Sequence, residues 1–275
     1  MSGSVSRDSG DPRVSGARVA LVTGAARGIG AAVVRQLVRS GWHVVALDRC
    51  ADDPRVDYPL ATKRQLTELA AEHPGAVTEV VADVQDREAL RAAVALAEER
   101  FGGLDAAVGA AGVMAGGRPL WEAPETEWDA LFGVGVDGVA NLARAAVPAL
   151  LRRPEPRAGR FVALASAAAH RGLWRLASYS AAKHAVVGLV RGLAVDLRGS
   201  GVCATAVSPG STRTDMLSAT ADVYDLPDVE EFAGHQVAER LLEPEEVAAT
   251  VCFLCSPEAS AITGTVVHAD GGFTA

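Results

Sequence analysis

Lysine is almost missing from this chain: of its 26 basic residues only Lys63 and Lys183 are lysines, the rest being arginine. Aromatic residues are also sparse, 5% against a hydrophobic share of 49%. A core would therefore be assembled from Ala, Val and Leu, which suits parallel strands buried under helices on both faces. Positive charge is short, with a net charge of −8 at pH 7, and this argues against a nucleic-acid surface or an anionic membrane as partner. Four cysteines in 275 residues do not make a disulfide framework. Cys252 and Cys255 form a C-x-x-C, but with no second such pair and no histidine pair no metal site is expected, and both thiols read as packing in an apolar helix. No apolar run approaches the roughly 18 residues of a membrane span. The first sixteen residues, MSGSVSRDSGDPRVSG, lack the apolar stretch of a secretion signal and read as a flexible tail over 1–16. A cytoplasmic protein is the expectation.

What is present is a rhythm. Short apolar runs at Arg18 to Thr23, His43 to Leu47, Val77 to Ala82, Leu104 to Gly109, Arg160 to Ala165, Val202 to Val207 and Thr265 to His268 predict strands. Helical spacing fills the intervals, at Ile29 to Arg39, Arg87 to Arg100, Glu125 to Leu151, Tyr179 to Arg198 and Pro244 to Cys255. Such alternation predicts an α/β chain with about seven strands: a Rossmann-type, doubly wound parallel sheet over 17–275 as a single domain. Ligand should then bind outside the carboxyl ends of the strands. Two segments interrupt the rhythm on that edge. Residues 49–62 hold two prolines and little periodicity, and residues 211–236 are long enough to act as a substrate lid.

After the first strand comes Thr23-Gly24-Ala25-Ala26-Arg27-Gly28-Ile29-Gly30, whose glycines allow a tight turn and let backbone N–H groups approach a pyrophosphate at a helix N-terminus. Asp48 closes the second strand, where a carboxylate accepts from ribose hydroxyls and repels a 2′-phosphate, favouring NAD over NADP. Arg27 and Arg49 oppose that preference, since either can reach a phosphate. Asp83-Val84 follows the third strand and either borders the adenine or caps a helix.

Tyr179 and Lys183 stand four residues apart and share a helix face. A free phenol, with its pKa near ~10, is a poor base at neutral pH, and a nearby ammonium is expected to lower it. Ser166, ending the fifth strand, can position a substrate oxygen. A compact ammonium with three rotatable donors can bond ribose hydroxyls and can also pass a proton onward, whereas a guanidinium stays charged and planar. That need explains a lysine in a chain otherwise written in arginine.

Taken together, TGAARGIG, Asp48, Asp83-Val84, Ser166 with Tyr179-x-x-x-Lys183, and Ser208-Pro209-Gly210 resemble the short-chain dehydrogenase/reductase family over Arg18 to Gly272. The resemblance implies Tyr179 as general acid/base, Lys183 on the nicotinamide ribose and Ser166 on the carbonyl. It implies Gly24, Arg27, Gly28, Ile29 and Gly30 around the pyrophosphate, with Asp48, Arg49, Asp83 and Val84 toward the adenosine. Pro209, Gly210, Thr212 and Thr214 would lie along the nicotinamide. Where the family usually has NNAG, this chain has Gly109-Ala110-Ala111-Gly112, small residues that keep the turn. The position of the family's tetrad Asn is Gly135, and Asn141, six residues on, points elsewhere around the helix.

Tyr58-Pro59-Leu60-Ala61-Thr62 resembles the insertion of the mycofactocin-associated branch. That likeness implies a loop covering the cofactor, an NAD that does not exchange, and reoxidation in place by mycofactocin. The pocket would draw on Val113 to Trp121, Ala167 to Leu176 and the lid, with Leu173, Trp174, Met216 and Leu217 suiting an apolar secondary alcohol or its ketone. His170 is a weaker candidate for substrate contact. The family implies a homotetramer. Two alternatives stay open: an ordinary member with freely exchanging NAD(P), and a weakly catalytic NAD-binding sensor or scaffold, motivated by Gly135.

Overall fold

The computed structural model describes residues 16–275, so the expected tail, apart from Gly16, lies outside the described residues. Seven strands form one sheet: β1 Val19–Thr23, β2 His43–Asp48, β3 Val77–Val81, β4 Ala106–Gly109, β5 Arg160–Leu164, β6 Cys203–Pro209 and β7 Val266–Ala269. Their order is β3-β2-β1-β4-β5-β6-β7, with every neighbouring pair parallel. Strand β1 (VALVT) is buried along its whole length, as unbroken apolar runs in a sheet covered on both faces should be. Strand β4 starts two residues later than its apolar run suggests. Asp105 instead accepts the Val19 N–H at 2.9 Å and pairs with Arg153 at 2.9 Å, tying the bottoms of β1 and β4 together.

Helices α1 Gly28–Arg39, α2 Lys63–Ala71 and α8 Pro244–Cys255 cover one face, and α3 Arg87–Phe101, α4 Glu125–Phe132, α5 Gly138–Arg152 and α6 Ala177–Asp196 the other. Cys255 is fully buried in α8, and burial pushes the neighbouring Cys252 thiol up to about 12. Both pack where α8 meets α1.

Helix α2 was not among the expected helices, and two further elements depart from the sequence pattern. The helix expected from Glu125 to Leu151 is continuous but carries a π-helical turn, Gly133–Asp137, in which the Gly138 N–H reaches back to the Gly133 carbonyl. The lid contains a helix of its own, α7 Asp215–Val223, capped by the Thr214 hydroxyl. The order in which successive strands are added reverses between β1 and β4, and the crevice opens there, at the carboxyl ends of the strands.

Candidate active site

One cavity of about 580 Å³ runs along that edge and contains every residue assigned above to cofactor or catalysis, from Gly24 and Asp48 to Tyr179, Lys183 and Thr214.

At one end Asp48 is held by backbone: one carboxylate oxygen accepts the Ala26 N–H at 3.0 Å and the other the Cys50 N–H at 3.1 Å. The glycine turn is packed too tightly for side chains. A Cβ on Gly30 would stand 2.0 Å from the Gly24 carbonyl oxygen, and one on Gly24, at φ +65°, 2.6 Å from the Ala111 backbone. Ala110 and Ala111 thus suit the turn after β4 because it abuts the turn after β1. Asp83 accepts the Gln85 N–H at 2.9 Å and lies 3.5 Å from Arg49. The helix cap is Asp86, which accepts from Glu88 and Ala89. The capping role considered for Asp83 therefore falls to its neighbour three residues on.

The segment 49–62 folds back toward this end around a buried carboxylate. Asp53 pairs with Arg49 at 2.8 Å and Arg55 at 2.6 Å, and these guanidiniums hold its carboxyl well below the ordinary range. Asp52 accepts the Leu60 N–H at 2.8 Å. Tyr58 then crosses the groove and accepts the Met114 N–H at 3.1 Å, while Leu60 and Ala61 line the cavity. Arg27 lies 5.9 Å from the Tyr58 ring centroid and bonds Asp215 of α7 at 2.8 Å. Glycine turn, insertion and lid meet at Arg27.

At the other end Ser166 follows β5, accepts the Ala168 N–H at 3.1 Å and stands beside the Tyr179 phenol. Tyr179 and Lys183 are 9% and 8% exposed on one face of α6. Lys183 Nζ donates to the Leu164 carbonyl at 3.1 Å and lies 5.7 Å from the Tyr179 ring centroid. The expected lowering of the phenol is not what this arrangement produces. Burial pushes Tyr179 up to about 12, outweighing the lowering influence of Ser166, and the same burial brings Lys183 down to about 8. The ammonium is spent on a backbone carbonyl, and desolvation penalises both charged forms.

Gly135 is buried within the π turn, and a Cβ built there meets nothing within 4 Å. Asn141 points away from this site, donating to the Val84 carbonyl at 3.2 Å. It therefore does not take over the missing amide.

The substrate end is apolar. Val113, Met114, Leu173, Trp174, Met216 and Leu217 line it as expected, but Leu120 and Trp121, 52% and 84% exposed, point to solvent instead. They sit on a one-turn helix (Leu120–Glu122) with no buried residue. His170 does not line the cavity: it bonds Ser208 Oγ at 2.8 Å and packs 4.5 Å from His268. Sequence reading did not single out Tyr224, Phe232, His235 and Phe273, which also line the cavity. Tyr224 was findable as one of only three tyrosines in the chain: its hydroxyl donates to the Trp174 carbonyl at 2.8 Å, joining lid to pocket wall. Phe273 gave no local sign, since only the return of the chain after β7 brings it to the pocket.

A buried tyrosine–lysine pair beside a serine, at the crevice of a doubly wound sheet with a glycine turn, defines an α/β oxidoreductase. The chain belongs to the short-chain dehydrogenase/reductase family. The family model described as enoyl-(acyl carrier protein) reductase matches residues 24–274. The short-chain reductase protein NovJ of Streptomyces niveus is 36% identical over 262 residues, 94% of this chain and 95% of that protein. The (−)-trans-carveol dehydrogenase of Rhodococcus erythropolis is 34% identical over 276 residues, 95% of this chain and 99% of that protein. Among solved structures, carveol dehydrogenase from Mycobacterium avium in complex with NAD superposes with a TM-score of 0.87 at 29% identity, covering 94% of this chain and 98% of that one.

Proposed function

We propose that this chain is an NAD-dependent dehydrogenase/reductase that interconverts an apolar secondary alcohol and its ketone, with NAD held beneath the 49–62 insertion and reoxidised in place by a mycofactocin-type carrier. The observation that carries the reading is the single cavity with Asp48 and the glycine turn at one end and Ser166, Tyr179 and Lys183 at the other.

The residues fit the cofactor. Asp48 presents its carboxylate to the adenosine ribose, and Asp53 and Asp83 add negative charge nearby while occupying Arg49 and Arg55. That balance disfavours a 2′-phosphate and supports NAD. Backbone N–H groups of the glycine turn, with Arg27, would take the pyrophosphate, and Thr212 and Thr214 the nicotinamide side. When bound, nicotinamide supplies the hydride acceptor for the alcohol or donor for the ketone.

The chain's own groups manage the proton. With its phenol held neutral, Tyr179 donates to the carbonyl oxygen during reduction while Ser166 gives that oxygen a second hydrogen bond. In oxidation Tyr179 takes the hydroxyl proton only after giving up its own, and neutral Lys183, its value down at about 8, is suited to receive that proton and release it at near-neutral pH. Leu173, Met216 and Leu217 keep water from the reacting carbon. Relatives that act on carveol support a terpenoid-like alcohol.

The Tyr58 strap and the Arg27–Asp215 pair support a cofactor that is slow to leave. A weakly catalytic NAD-binding protein is the second reading, favoured by Gly135. The deciding experiment is the NAD(H) and NADP(H) content of protein purified without added nucleotide and exhaustively dialysed. Near-stoichiometric NAD(H) is expected. An empty protein that turns over with added NAD leaves an exchanging dehydrogenase, and a protein that takes up neither nucleotide overturns the reading altogether.

A further inference from the structure

Away from the active site, α3 and α5 enclose a cleft of about 260 Å³ lined by Arg87, Arg91, Asn141, Arg144 and Ala145. Its base is Asn141, only 4% exposed. The amide is fixed in orientation because its N–H groups face the Val84 carbonyl at 3.2 Å and the Gln85 carbonyl at 3.5 Å. Its oxygen therefore points into the cleft, and two guanidiniums converge on that one atom: Arg87 Nε at 3.0 Å and Arg144 Nη1 at 3.0 Å.

This is an unusual way to use two cations. A neutral amide oxygen offers each a single bond and no charge, while the two guanidiniums repel each other across it. Among the described residues neither Arg87 nor Arg144 forms an ion pair with a carboxylate, in a chain with a net charge of −8. Asp86 is turned away, accepting backbone N–H groups of α3. The third arginine, Arg91, is paired with the exposed Glu88 at 2.6 Å, a surface contact that exchanges at little cost.

We infer that this cleft is a binding site for a multivalent oxyanion of the phosphate class, held by Arg87 and Arg144 with Arg91 closing over it. Guanidinium forks match the oxygen edges of phosphate, and charge-assisted bonds of this kind are roughly twice as strong as neutral ones. The amide of Asn141 spaces the two forks and keeps them aimed outward. The site is separate from the glycine turn and independent of the activity proposed above.

The test is titration of the NAD-loaded protein with inorganic phosphate and with pyrophosphate at constant ionic strength, followed by ³¹P NMR and thermal shift. One saturable site per chain is expected, tighter for pyrophosphate. In the double variant Arg87→Gln/Arg144→Gln affinity should fall tenfold or more, and in Arg91→Gln about threefold, while Arg64→Gln, on the exposed face of α2, should match the parent. Any phosphate bound at the glycine turn would survive these substitutions and so be told apart. Unchanged binding in the folded double variant overturns the proposal, as does the absence of saturable binding in the parent. It is also overturned if sedimentation shows the parent associated, the double variant dissociated and neither holding phosphate, since a carboxylate of a second copy would then fill the cleft.

Discussion

In the proposed reaction Tyr179 and Lys183 carry the chemistry, and their burial sets what each can do. Replacing Tyr179 with Phe removes the proton donor without emptying the cavity. Turnover should fall about 10²–10⁴-fold with bound NAD(H) unchanged, as read by steady-state kinetics and cofactor assay. Lys183 also leaves a mark on stability. Its folded value, about 8, lies below the ordinary 10.5, so between those values the unfolded chain holds a proton that the folded chain has lost. Stability from this group therefore rises with pH through that window, and the burial penalty is fully present below it. Relative to Lys183→Met, the parent should gain about 1 kcal/mol between pH 8 and pH 9 in urea unfolding. Comparing the two proteins cancels the buried thiols, whose raised values act in the opposite sense. The lysine was conspicuous in the sequence because arginine is used nearly everywhere else. The direction in which the phenol moves was not, because the distance from ammonium to ring and the desolvation of both are tertiary quantities. At Gly135 an added side chain meets open space, so Gly135→Asn should fold normally. A large rise in turnover would favour the weakly catalytic reading of the parent, and an unchanged rate is the outcome expected if catalysis needs no side chain at this position.

The proposed cofactor retention belongs to the elements. The insertion is organised by Asp53 and fastened by Tyr58, and the lid is latched to the glycine turn through Arg27 and Asp215. Loss of the Tyr58 hydroxyl bond, worth about 1 kcal/mol, should speed release of NAD roughly fivefold in Tyr58→Phe. Asp215→Asn breaks a half-exposed pair and should give a smaller, two- to threefold effect. Exchange against labelled NAD measures both, and release rates equal to the parent's would exclude the strap and latch as the retaining device. That the insertion lines the same cavity as Asp48 could be anticipated from its root beside that residue. Its fastening could not, since Tyr58 and Met114 are 56 residues apart in the chain. Likewise α7 was hidden inside the lid: with nine residues it is too short for its period to stand out from loop composition.

For the whole molecule, apolar side chains remain at the surface on α4 and α6, Trp128 at 42% and Val195 at 73% exposure, and on and near α8, Phe253 at 49% and Val237 at 74%. We propose that these two faces are covered in a homotetramer. Sedimentation at micromolar concentration should give the tetramer, with Val195→Arg stopping at dimers of unchanged thermal stability. A parent that sediments as a monomer would exclude this assembly.

The sequence by itself determined the alternation of strand and helix, the glycine turn, the acid after β2 and the Ser–Tyr–Lys set. Each is written in local spacing or in a residue type whose chemistry has few substitutes. Only the tertiary structure decided which way the buried pair titrates, where Trp121 and His170 point, which acid caps α3, and that Phe273 reaches the pocket. Those outcomes depend on desolvation and on contacts between residues distant in the chain, and neither is encoded in any one stretch of it.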